Sequence, residues 1–207
     1  MDEFKLSSSA FSDGGPIPRE CGYKNGNISP PLTILAPAGT RSIALIMDDP
    51  DAMEPAGKVW VHWVIFNMDT NSILKGGKHN FQIPEGKAIT KPLTGKQFFA
   101  ATNKRMRDAN KAHLIQSQQE RYGTGMFSAP GPLWGGLVGL NDFGEFDYGG
   151  PAPPDKRHTY IFKAYALNID ELPLPRADQP GTKADVENDI EDHIIEEATL
   201  TGTYYAD

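Results

Sequence analysis

The stretch Lys58-Val59-Trp60-Val61-His62-Trp63-Val64-Ile65-Phe66-Asn67 decides the fold class. It is rich in Val, Ile, Phe and Trp, side chains that pack well on a pleated surface. It is too short to cross a bilayer. An apolar run of this kind suits a central β-strand. Leu32–Leu35 and Ser42–Met47 read as two further strands, separated by the turn Ala36-Pro37-Ala38-Gly39-Thr40. In Thr159–Ala166 the residues Tyr160, Phe162, Ala164 and Ala166 alternate with Ile161, Lys163 and Tyr165, which predicts a fourth strand. Leu200–Tyr205 is expected to form a short last one. With 21 Gly and 17 Pro in 207 residues, the chain suits a loop-rich, mainly β protein better than a helical bundle.

Two helices are predicted. Thr182-Lys183-Ala184-Asp185 has the pattern of an N-terminal capping box, with Asp in the place of the usual Glu. Val186, Ile190, Ile194 and Ala198 then recur at helical spacing. The second candidate, Asn103–Arg121, is polar almost all round and reads as a surface helix. From Lys75 to Pro132 no strand stands out, a length far beyond ordinary connections of about 4–6 residues. The range 75–132 is therefore read as an insertion within one domain spanning 1–207.

Composition narrows the function classes. The net charge of −7 argues against wholesale nucleic-acid binding, yet residues 75–121 carry ten Lys or Arg against three acids. That segment is +7 and the rest of the chain is −14. It is expected to be a solvated loop, a contact for an anionic lipid, or a docking surface for an acidic protein partner or the chain's own acidic C-terminal region, a homodimer contact included. The single cysteine, Cys21, excludes an internal disulfide framework. The first residues show no secretory pattern, and a cytoplasmic location is expected.

Chemistry concentrates in Asp49-Pro50-Asp51, in His62, and in the downstream Gly149-Gly150-Pro151 and His158-Thr159-Tyr160. Two carboxylates and two imidazoles beside predicted strands admit three readings. They could hold zinc or iron, although no tight His-x-x-x-His pair exists. A histidine could act as a catalytic base, although Gly-x-Ser-x-Gly is absent. They could instead line a pocket for a small anion or zwitterion. Against all three stands the plain alternative that Asp-Pro-Asp is a turn and each His a structural residue. Trp60, Trp63 and Phe66 could stack on a ligand, but alternating aromatics on a strand are more often core.

Asn27-Ile28-Ser29-Pro30-Pro31-Leu32, Asp48-Asp49-Pro50-Asp51-Ala52, His62-Trp63-Val64-Ile65-Phe66-Asn67, Asn141-Asp142-Phe143-Gly144, Tyr148-Gly149-Gly150-Pro151 and His158-Thr159-Tyr160, in order, carry a resemblance to a known family. The chain resembles the phosphatidylethanolamine-binding protein family, in its bacterial and archaeal branch of Raf-kinase-inhibitor-like proteins. Glu197-Ala198-Thr199-Leu200-Thr201-Gly202-Thr203-Tyr204 extends it. It implies an antiparallel β-sandwich-like fold with a C-terminal helix and a small anion-binding pocket at a sheet edge. It also implies a non-enzymatic binding protein for phosphate-containing or zwitterionic head groups that regulates a kinase or another enzyme. A metal-dependent or acid/base hydrolase using the same Asp/His cluster is the competing class.

Position by position, the resemblance places Asp49, Asp51, His62, Gly150, Pro151, His158 and Tyr160 in the ligand pocket, with no cofactor and no metal. Met53, Lys156, Arg157 and Thr159 depart from the family pattern and bear on the pocket's rim. A phosphate dianion should avoid two carboxylates, a like-charge pair costing about 4 kcal/mol at 4 Å and an effective dielectric of 20. The constellation makes sense if each aspartate accepts from one imidazole nitrogen and leaves the other as a donor to phosphate. Backbone N–H groups near Gly150 and the Tyr160 hydroxyl would add donors. On this basis His62→Ala and Asp49→Ala are each expected to abolish binding and to leave the fold intact.

Overall fold

The computed structural model describes residues 4–69, 80–83, 137–174 and 181–205, with side chains for all but 69 and 80–83. Nine strands and two short α-helices follow one another in these segments. They are β1 (Lys5–Ser8), β2 (Gly15–Pro16), β3 (Leu32–Leu35), β4 (Ser42–Asp49), α1 (Met53–Ala56) and β5 (Trp60–Asp69). Then come β6 (Asn80–Ile83), β7 (Leu137–Val138), β8 (His158–Leu167), α2 (Lys183–Ile190) and β9 (Ile194–Tyr204).

The strands form two sheets, a small one in the order β1-β3-β6 and a large one in the order β2-β9-β8-β4-β5-β7. All described pairings are antiparallel except the two-residue β2–β9 contact, where Gly15 lies opposite Gly202. The chain is therefore mainly β, as expected. The central strand is β4, hydrogen-bonded to β5 on one side and β8 on the other, with all eight residues buried. Its successive side chains enter two different cores. Ile43, Leu45 and Met47 join Leu6, Ile34, Trp63, Tyr160 and Phe162 between the sheets. Ala44 and Ile46 join Val64, Phe66, Val186 and Ile190 beneath α2. A strand covered on both faces calls for a near-continuous apolar run, which Ile43–Met47 and Trp63–Phe66 supply.

Several expectations need correction. The predicted C-terminal helix stops at Ile190, a 3-10 turn covers Glu191–His193, and Ile194 already begins β9. Ile194 and Ala198 thus belong to a strand. A spacing of four residues satisfies a period of two as well as a helical turn. Pairing resolves the ambiguity, since β9 satisfies the edge of β8 along ten register pairs from Leu167↔Ile194 to His158↔Tyr204. Within the range read as a strandless insertion, Asn80–Ile83 pairs with β3 and closes the small sheet. The remainder of 75–132, including the predicted helix Asn103–Arg121 and almost all of the basic segment, lies outside the described residues.

The capping box is present. The Thr182 hydroxyl accepts from the Asp185 N–H at 3.2 Å, and the Asp185 carboxylate accepts from the Thr182 N–H at 2.8 Å. Thr182→Ala should lower stability by about 1 kcal/mol in a urea titration, because one buried-side donor of α2 loses its acceptor. An unchanged midpoint would show that Asp185 alone suffices to start the helix.

Candidate functional site

The site lies where β4 ends, β5 begins and β8 begins. Period-two alternation points His158 and Tyr160 to the same face as Phe162 and Ala164, toward the space between the sheets. His62 reaches that face by another route. Met47 pairs with Trp63 but Asp48 pairs with Val61, so His62 is an extra residue in β5. Val61 packs with the core beneath α2, whereas the His62 ring stands edge-on to Tyr160 at 5.1 Å between centroids. Such a bulge re-aims a side chain without ending the strand.

Asp49 ends β4 and caps the next turn, its carboxylate accepting from the Ala52 N–H at 3.1 Å. Pro50 pre-sets the first turn position, its fixed φ suiting a helical start. The other Asp49 oxygen accepts from His158 Nδ1 at 2.7 Å, and Asp155 accepts from His158 Nε2 at 2.9 Å. With a carboxylate on each nitrogen, both nitrogens must donate and the ring is an imidazolium. Burial disfavours that charge, but Asp49 and Asp155 outweigh it and hold the ring above its ordinary pKa. Asp155, three residues before His158, was not anticipated; nothing but that spacing signals it.

His62 is different. Its Nδ1 donates to the Gly149 carbonyl at 2.6 Å, so no aspartate orients it. Burial pushes its pKa down, against the carbonyls of Gly149 and Gly150 and the charges of Asp49 and Asp48. The resting ring is therefore neutral, with Nε2 left as an acceptor. The expected picture of two equivalent imidazoles, each charged by an aspartate and each donating to phosphate, does not hold.

These side chains border a cavity of about 200 Å³ lined by Asp49, Ala52, Pro55, Ala56, Trp60, His62, Phe143, Ala152, Pro154 and His158. Of the seven residues expected in the pocket, Asp49, His62 and His158 line it. Tyr160 lies behind them against His62, fully buried, its hydroxyl pKa raised by burial and by the Asp49 charge. Asp51 turns away and accepts from the Thr159 N–H at 2.7 Å, fastening the turn to β8. Gly150 and Pro151 are framework. The Gly150 N–H donates to Asn27 at 2.7 Å, the Pro151 carbonyl accepts from Tyr23 N–H at 2.9 Å, and the Gly149 N–H donates to the His62 carbonyl at 2.9 Å. These amides are committed and do not serve as ligand donors.

Among the aromatics, Trp63 and Phe66 are core, and only Trp60 of the three reaches the pocket. Phe143 forms the opposite wall, stacked on Tyr23 at 4.3 Å and edge-on to Trp60 at 5.6 Å. Asn141 holds it there by accepting from the backbone N–H groups of Phe143 and Glu145, each at 3.0 Å. The departures from the family pattern sit away from the lining. Lys156 pairs with Glu54 at 2.6 Å, Arg157 covers the Tyr205 ring at 4.3 Å, and Met53 is 54% exposed. Among the described residues, no group of three or more His, Cys, Asp or Glu is placed to hold a metal ion, and no helix is long and apolar enough to cross a membrane.

Comparison with known proteins agrees with this architecture. The chain is 30% identical over 203 residues to a UPF0098 protein of Chlamydia pneumoniae, covering 97% of both chains. It is 33% identical over 201 residues to a UPF0098 protein of Methanothermobacter thermautotrophicus, covering 96% of this chain and 97% of the other. Two crystal structures match over 100% of both chains at 27% identity. One is a candidate phosphatidylethanolamine-binding protein homologue from Chlamydia trachomatis, with a TM-score of 0.68. The other is Escherichia coli YbcL, a member of the mammalian family of that name, with a TM-score of 0.66. A family model for phosphatidylethanolamine-binding protein matches residues 7–205. The chain belongs to the phosphatidylethanolamine-binding protein family.

Proposed function

We propose that this protein is a non-enzymatic binding protein whose pocket receives the oxyanion end of a small phosphate-bearing or zwitterionic ligand. One observation carries the reading: a buried histidine, His62, lines the cavity with one nitrogen anchored on Gly149, and among the described residues no hydrogen-bond partner holds the other. Beside it, the Asp49–His158–Asp155 chain has no spare nitrogen for proton transfer, which suits a fixed wall better than a catalytic base. The cavity, about 200 Å³, falls below the range of roughly 300–1,000 Å³ typical of drug-sized ligands, so a head group fits better than a whole lipid. A regulatory role toward a kinase or other enzyme, and a cytoplasmic location consistent with one lone buried cysteine, belong to the same proposal. The basic segment 75–121 carries no part of it.

His62→Ala should abolish binding of phosphoethanolamine measured by calorimetry, with a thermal midpoint close to that of the parent. Unchanged affinity in that variant would overturn the reading.

A further inference from the structure

Gly22-Tyr23-Lys24-Asn25-Gly26-Asn27 crosses a turn between the 3-10 turn Arg19–Cys21 and β3, outside every strand and helix. Asn25 is the one asparagine in the chain that stands before a glycine. The Asn25 and Asn27 N–H groups both donate to the Gly22 carbonyl at 2.9 Å, which leaves the Asn25–Gly26 peptide at the tip of the turn. Gly26 is exposed, with φ at +132°, and no Cβ shields its nitrogen. Asparagine amides are among the heat-labile groups of a protein. Asn27, by contrast, precedes the β-branched Ile28, and both of its amide atoms are engaged. Its Nδ2 donates to the Tyr148 carbonyl at 3.0 Å, and its Oδ1 accepts from the Gly150 N–H at 2.7 Å.

Asn25 is tethered to the end of β9. Its Nδ2 donates to the Tyr204 hydroxyl at 2.9 Å, and that hydroxyl donates to the Arg19 carbonyl at 2.9 Å. A tethered amide visits fewer of the conformations in which its Cγ meets the Gly26 nitrogen.

We propose that Asn25 is a modification site, converted without an enzyme to aspartate and isoaspartate, and that Tyr204 sets the rate. The Gly26 nitrogen gives up its proton and attacks Cγ of Asn25. The new N–Cγ bond forms, the Cγ–Nδ2 bond breaks, and Nδ2 leaves as ammonia carrying a proton. Water then opens the cyclic imide at either carbonyl. One water is consumed, one ammonia is released, and the chain gains one negative charge.

The products cannot keep the contacts of the amide. Tyr204 has one hydroxyl proton and spends it on the Arg19 carbonyl, so its oxygen accepts from an amide but faces a carboxylate with nothing to share. It has little room to turn, since a Cβ at Gly22 would stand 2.0 Å from that oxygen. Isoaspartate also routes the main chain through Cβ and Cγ, which adds an atom before Gly26 and displaces Asn27. Asn27 holds Tyr148 and Gly150, on either side of the Gly149 carbonyl that anchors His62. A change at the exposed turn thus reaches a buried loop.

Ageing the full-length protein at pH 7.4 and at pH 9, with peptide mass spectrometry and isoaspartyl methyltransferase labelling as readouts, decides the matter. Asn25 should convert ahead of Asn27 and of every other asparagine, and faster at pH 9, because the attacking nitrogen must lose its proton. Tyr204→Phe keeps the ring and removes the tether, so Asn25 should convert about fivefold faster, the worth of one hydrogen bond. The buried Asn141 should keep the parent's rate in that variant. The thermal midpoint of the parent should fall as isoaspartate accumulates, whereas that of Asn25→Gln, whose longer side chain closes the ring poorly, should not drift. An intact Asn25 after other asparagines have converted would overturn the site. Conversion in Tyr204→Phe no faster than in the parent, or accelerated equally at Asn141, would overturn the role of Tyr204.

Discussion

Asp49→Ala should lower stability by about 3 kcal/mol, seen as a shifted urea midpoint at pH 6, and should not be a selective loss of binding. The variant strips the buried His158 ring of one of its two carboxylates and removes the acceptor for the Ala52 N–H. Breaking a buried ion pair costs about 3–5 kcal/mol. The lower end applies because the ring can shed its proton once Asp49 is gone. The sequence-based expectation of an intact fold in this variant is thereby revised, while the same expectation stands for His62.

The effect should depend on pH in a definite direction. The folded His158 pKa is raised above its ordinary value of 6.5, so its stabilising contribution is complete below 6.5 and is lost as pH climbs through the folded value. The gap between parent and Asp49→Ala should therefore be widest near pH 6 and narrow at alkaline pH. His62 acts in the opposite sense, because burial lowers its folded pKa. Between that lowered value and 6.5 the unfolded chain binds more protons, and stability rises with pH. Losing the Asp49 charge, which raises the His62 pKa, lowers that value further in the variant and so widens the gap on the acid side as well. A gap that widened toward pH 9 would show that His158 is neutral in the folded state.

Gly150→Ala should be about as damaging. A Cβ at that position would stand 2.1 Å from the Cys21 carbonyl oxygen and 2.8 Å from the Tyr23 nitrogen, both backbone atoms. The Tyr148 hydroxyl also donates to the Cys21 carbonyl, so that strand of loop is pinned from two sides. Overpacking of this kind costs about 3 kcal/mol at the upper end of its usual range. The substitution should also displace Gly149, whose carbonyl holds His62, so binding and thermal midpoint should fall together. A parent-like midpoint would mean that residues 21–23 can move aside freely.

Much of the fold was legible because it rests on local pattern. Leu32–Leu35 is a strand with the limits expected of it, and β4 and β8 match their expected ranges to within two residues. The capping box announced α2. What misled was periodicity read without partners. Ile194 and Ala198 fit a helix and a strand equally, and only the unpaired edge of β8 selects the strand. Asn80–Ile83 shows no strong strand pattern of its own and is extended because β3 offers it an edge.

The candidate site was legible in its ingredients and misread in its wiring. Asp49, His62 and His158 share one cavity because β4 pairs with β5 on one side and β8 on the other, a neighbourhood that the sequence left open. Their roles were not legible, because roles depend on hydrogen bonds between residues 87 to 109 positions apart. The sequence by itself determined a mainly β chain with its acids and histidines beside predicted strands, since side-chain alternation and turn chemistry are local properties. Only the tertiary structure decided that Asp49 serves His158, that Gly149 serves His62, and that Asp51 and Gly150 hold the framework. A hydrogen bond is settled by which groups meet in space after every backbone donor has found its acceptor.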